Sequence, residues 1–145
     1  MKITDIRFPV LALSKGDSLY LWDHFDEERS CTLLALVHGY FDRLTLYDSA
    51  GLAWPVAQAI PTRPISKFAR WLAPICYNPR ITVRLSLKDS VPYQFDEIKA
   101  EICALVDKDD DRMTQNIEPG KLKALINGAQ SFGDLVKKLK KYRVI

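Results

Sequence analysis

Near residue 91 the hydrophobic period of this chain changes from that of a strand to that of a helix, and this change limits the folds open to it. On the N-terminal side, Ile81, Val83, Leu85 and Leu87 alternate with Arg80, Thr82, Arg84, Ser86 and Lys88. Period two predicts a strand with one face in a core and the other wet and basic. After Val91-Pro92, Phe95, Ile98, Ile102, Leu105 and Val106 form one helical stripe, with Asp96, Glu97, Lys99 and Glu101 outside it. Glu118-Pro119 starts a second helix with Pro at its first position, carrying Leu122, Leu125 and Ile126 and stopping at Asn127-Gly128. Ser131 as N-cap, with Asp134 three residues later, opens a third, whose Phe132, Leu135, Val136 and Leu139 recur at i, i+3, i+4 and i+7.

The first sixty residues carry turn signals at Lys15-Gly16-Asp17 and Asp48-Ser49-Ala50-Gly51, as antiparallel hairpins do. Strands are predicted near residues 3–8, at Leu19 with Leu21, at Leu33 to Val37, at Leu44 with Leu46, and at Leu52, Trp54 and Val56. Pro55 cannot donate to a ladder, which marks its strand as an edge. Ile65, Phe68, Trp71 and Leu72 have helical spacing between Pro64 and Pro74 and predict a short helix capping one side. Trp22, Trp54 and Trp71 lie in apolar-periodic segments and are expected in the core. Strands first and helices last, without βαβ alternation, predict an α+β fold. It has an N-terminal antiparallel sheet of about five to six strands with a short helix inserted, packed against C-terminal helices. At 145 residues the chain is one domain, 1–145.

A chain that is 48% hydrophobic and 27% charged can bury a core. Twenty-one Lys and Arg against eighteen Asp and Glu leave +3, too mild a balance to imply nucleic acid or an anionic membrane. The longest apolar run, Leu33 to Val37, is far below the ~18 residues that span a bilayer. Asp5 and Arg7 interrupt the apolar stretch a signal peptide needs. Cys31, Cys76 and Cys103 are odd in number, widely spaced and set among apolar neighbours, which fits reduced, buried thiols in the cytoplasm.

The most motif-like stretch, Asp107 to Glu118, places carboxylates at positions one, three, five and twelve of a calcium loop (Asp107, Asp109, Asp111 and Glu118). Position six requires Gly, and Arg112 stands there. The expectation is therefore a solvated acidic loop, including Asp110, with no metal. Asp23, Asp26, Glu27 and Glu28 form a second acidic cluster, read as an exposed, partner-facing loop. Cys31 with His24 or His38 lacks both a zinc spacing and an orienting third group, and His38 reads as a half-buried strand residue. The six glycines form no phosphate cradle. No catalytic constellation and no cofactor are expected. The basic features are Arg80, Arg84 and Lys88 on one strand and Lys137, Lys138, Lys140, Lys141 and Arg143 near the end.

The stretch from Asp42 to Val56, with its Asp-Ser-Ala-Gly turn, resembles the small immunity proteins of bacterial polymorphic toxin and contact-dependent inhibition systems. Phe95-Asp96-Glu97-Ile98-Lys99 and Ala129-Gln130-Ser131-Phe132-Gly133-Asp134-Leu135 carry the rest of the resemblance. It implies a cytoplasmic, non-enzymatic protein that binds one cognate toxin C-terminal domain one-to-one and blocks it. Acidic surfaces would then dominate recognition. The residues expected to carry it are Asp23, Asp26, Glu27, Glu28, Asp107, Asp109, Asp110 and Asp111, with Arg80, Arg84 and Lys88 as the second surface. The other reading is a nucleic-acid-associated regulator using the basic strand face and the terminal lysines. A homodimer is left open.

Overall fold

A computed structural model describes residues 5–108 and 111–145. The fold is α+β, a curled antiparallel sheet with an N-terminal origin and five helices. The strands are β1 (Val10–Ser14), β2 (Ser18–Trp22), β3 (Glu28–Thr32), β4 (Leu44–Tyr47), β5 (Leu52–Pro61), β6 (Arg80–Leu87) and the two-residue β7 (Val91–Pro92). The helices are α1 (Leu33–Val37), α2 (Lys67–Leu72), α3 (Phe95–Lys108), α4 (Pro119–Asn127) and α5 (Phe132–Lys141). The strand order is β2-β1-β4-β5-β6-β3, with β7 beside β5.

Strands β2 and β3 are therefore the two ends of the sheet, although only residues 23–27 separate them in the chain. So short a link reaches at most about 21 Å. The sheet must curl until its ends approach, and the Arg29 guanidinium of β3 lies 3.6 Å over the Trp22 ring of β2. The concave side holds one core, built from Ile6, Val10, Ala12, Trp22, Phe41, Leu44, Leu46, Trp54, Val56, Val83 and Leu85. The convex side of β1 and β2 holds the other, in which Leu11, Leu13 and Leu19 meet the stripes of α3, α4 and α5. Strand β1 is buried throughout because its alternate residues enter different cores, as expected of a strand covered on both faces.

The helices follow their sequence signals. In α3, Ile98, Ile102, Leu105 and Val106 are buried. Helix α4 begins with Pro119 after Glu118. In α5 the Ser131 hydroxyl accepts from the Asp134 N–H, and the Asp134 carboxylate accepts from Gln130 N–H at 3.0 Å. That backbone bond and Lys138 hold the Asp134 carboxyl below its usual range.

Four local expectations are corrected. Leu33 to Val37 is helix α1, because Thr32 caps it by accepting from Ala35 N–H and the Asn78 side chain accepts from Leu34 N–H. His38 is consequently an exposed helix C-cap and not a strand residue. The first strand is Val10–Ser14, and no strand occurs over residues 5–8; residues 3 and 4 lie outside the described residues. Pro55 lies in a central strand, opposite Thr45 of β4, with its carbonyl accepting from Lys88 N–H. Its missing N–H falls where β5 changes partner from β7 to β6, beside the bulge at Val56/Gln58.

Candidate binding face around the short helix

Helix α2 departs from the usual orientation of an amphipathic helix. Ser66 caps it by accepting from Ala69 N–H at 3.1 Å, and Pro74, which has no N–H, stops it. The N–H groups of Ile75, Cys76 and Tyr77 then converge on the Leu72 carbonyl at 2.9, 3.0 and 3.2 Å. Phe68, Leu72 and Ile75 recur at helical spacing with Trp71, a pattern that normally faces a core. Here Phe68 is 66% exposed, Trp71 64% and Ile75 65%. The buried position is small: Ala73, at 4% exposure. The expectation that Trp71 packs in the core is therefore overturned, whereas Trp22 and Trp54 are buried as expected. Within α2 no side chain is buried, and its large residues are left outside. The Phe68 and Trp71 rings stack at 6.0 Å. Tyr77 and Ile60 are also largely exposed.

Beside α2 runs an open groove of about 680 Å³ whose floor is the outer face of β3 and β6, including Ser30, Arg80 and Thr82, and whose wall includes Arg63, Ala69 and Tyr77. Its charge is uneven in a way the net +3 conceals. Residues 49–88 hold six of the 21 Lys and Arg and none of the 18 Asp and Glu, leaving fifteen cations against eighteen carboxylates, or −3, in the rest of the chain. Arg63, Lys67 and Arg70 are exposed and have no carboxylate partner among the described residues. That run without a carboxylate was visible in the sequence and marks this face.

The two surfaces expected from sequence are rearranged. Glu28 is not in an exposed loop but opens β3, directly opposite Arg84, whose guanidinium donates to its carboxylate at 2.8 Å. That bond raises the Arg84 pKa. Arg80 Nε donates to Ser30 Oγ at 3.2 Å. Lys88 stands apart from both, in a different depression with Lys15, Asp42, Arg43 and Glu101. Asp23, Asp26 and Glu27 are exposed in the link between the sheet ends, with Asp26 3.1 Å from His24.

Asp107 belongs to the end of α3 and pairs with Lys123 of α4 at 2.7 Å. Asp111 turns the chain with a φ of 76°, and Asp109 and Asp110 lie outside the described residues. Arg112 donates to the Asp17 carbonyl at the opposite end of β2 from Asp23. The five residues of β2, about 13 Å end to end, lie between the Asp17 carbonyl and Asp23. Among the described residues no three His, Cys, Asp or Glu are grouped to hold a metal ion.

The thiols differ from expectation in one respect: Cys76 is exposed, while Cys31 and Cys103 are half-buried. Burial pushes the Cys31 thiol up, with Arg80 opposing it, whereas a nucleophilic cysteine needs a lowered value. Cys103 is likewise pushed up by burial. No helix among the described residues is long and apolar enough to cross a membrane. No family model matches the chain, and neither a curated protein nor a solved structure is found to match it.

Proposed function

We propose that this chain is a non-enzymatic binding protein of the immunity type, acting in the cytoplasm by docking one-to-one on a toxin domain and blocking it. The observation that carries the reading is the outward apolar stripe of α2 and of the turn that follows it. Phe68, Trp71 and Ile75 stand in water at positions where a chain with two filled cores had no need of them. Exposed aromatics beside arginine are the composition of protein-docking hot spots. The resemblance of the Asp48-Ser49-Ala50-Gly51 hairpin and the two helical segments to immunity proteins supplies the class of partner. The nucleic-acid reading is less well supported, because its cations are dispersed. Arg84 is closed by Glu28, Lys88 occupies another depression, and the terminal lysines ride on α5 in the helical layer.

The test is growth rescue. The C-terminal domain of the protein encoded immediately upstream is expressed with and without this chain, and the purified pair is titrated by calorimetry. Rescue with one-to-one, nanomolar binding is expected; a harmless domain, or a toxic one neither rescued nor bound, contradicts the reading.

A further inference from the structure

We infer that the α2 face docks an acidic polypeptide surface, one that seats Phe68 and Trp71 in apolar pockets and faces Arg63, Lys67 and Arg70 with carboxylates. The inference rests on the binding reading above and specifies its surface and the chemistry of its partner.

Three occupants could cover so apolar a face, and charge separates them. A second copy would bring the same three cations against their equivalents across a two-fold axis, where like charges oppose association. A single-stranded nucleic acid would find the cations and the open outer faces of the Phe68, Trp71 and Tyr77 rings, but Ile60 and Ile75 offer a base no flat ring and fit an aliphatic side chain better. An acidic protein surface meets these features: exposed aromatic and aliphatic anchors, arginine and lysine on the same segment, and 40 contiguous positions without carboxylate. It also accounts for the net charge. A partner that recognised the acidic clusters would be basic, whereas the longest stretch carrying charge of one sign, residues 49–88, is cationic.

The experiment uses the full chain and the toxin domain of the rescue assay, with association followed by stopped flow and affinity by calorimetry. All changed side chains are exposed, so the variants fold. The double variant Phe68→Ala/Trp71→Ala is expected to bind at least ~30-fold more weakly, as hot-spot truncations do. Arg63→Glu/Arg70→Glu is expected to slow association by about tenfold or more at low salt and to flatten its salt dependence. Asp23→Lys/Asp26→Lys is expected to bind as the parent does. If the α2 variants bind unchanged while the acidic variant weakens, the inference is overturned and the binding function stands.

If the parent neither rescues nor binds, the functional reading falls and the face is tested by itself. The probes are a helical Glu/Leu peptide, its Lys/Leu counterpart and an oligothymidylate, read by Trp71 emission. A saturable blue shift with the Glu/Leu peptide alone, lost in Arg63→Glu/Arg70→Glu, supports the inference. A shift with the oligonucleotide or the Lys/Leu peptide, or with none of the three, overturns it.

Discussion

Asp48→Ala lowers the melting temperature of this protein by about 10 °C or more, a loss of roughly 3–4 kcal/mol at about 3–4 °C per kcal/mol for a chain of this size. Asp48 is fully buried at the β4–β5 turn. Its Oδ1 accepts from the backbone N–H of Ala50 at 2.9 Å and of Leu52 at 3.0 Å, and its Oδ2 accepts from Trp54 Nε1 at 2.9 Å. Its carbonyl accepts from the Tyr93 hydroxyl at 2.8 Å, tying the turn to the segment before α3. Burial, then the Asp48 charge and Tyr47, push Tyr93 up to about 12, so the phenol stays a donor across the physiological range. Alanine orphans three donors, one of them the buried indole N–H of Trp54, and each orphan costs about 1–3 kcal/mol before relaxation. Asp48→Asn is milder on one side only, because its oxygen can serve the backbone while its amide meets the indole N–H donor to donor. Adding Trp54→Phe, which removes that donor, therefore costs less in the Asp48→Asn background than alone. Calorimetric melting of the four proteins measures the coupling; a melting temperature within 2 or 3 °C of the parent in Asp48→Ala, well under the ~10 °C expected, contradicts the assignment.

Ile102→Ala has the second large effect, about 3–5 kcal/mol. Ile102 is fully buried in α3, in the core that joins Leu11 and Leu13 of the sheet to Leu135 and Leu139 of α5. Truncation leaves a cavity between layers whose backbones are held by their own ladders and cannot close on it. Phe68→Ala removes a larger side chain from α2 yet is expected to change stability by no more than ~0.5 kcal/mol, as exposed positions do. Urea midpoints report both: a large drop for Ile102→Ala with unchanged slope, and almost none for Phe68→Ala. Equal drops would mean that α2 is packed like the rest of the protein.

The C-terminal half was legible because its signals are local. Pro119 at a helix start, Ser131 with Asp134 and the stripe from Ile98 to Val106 each act within a few residues. The strand Arg80–Leu87 was legible for the same reason, its one buried face imposing strict alternation. Leu33 to Val37 was misread because a short apolar run fits either state, and what settles it is the Thr32 cap and Asn78, 44 positions away from Leu34. Pro55 was misread because no local rule locates a change of strand partner.

The face around α2 was missed because its stripe is the pattern of a core helix, and only the packing decides which side turns inward. The acidic candidates drew attention by their density, although Glu28 and Asp107 turn out to be committed to Arg84 and Lys123. The missing carboxylates of residues 49–88 carried the opposite information.

The outward orientation of α2 underlies both the proposed binding function and the charge proposed for its partner, and acrylamide quenching of tryptophan emission tests it most directly. Trp22 and Trp54 are buried, so Trp71 alone is exposed. The parent protein should show a strongly quenched, red-shifted component that Trp71→Phe removes, leaving blue-shifted and weakly quenched emission. If Trp71→Phe leaves the accessible component in place, or the parent has none, α2 faces inward and the account of this surface is wrong.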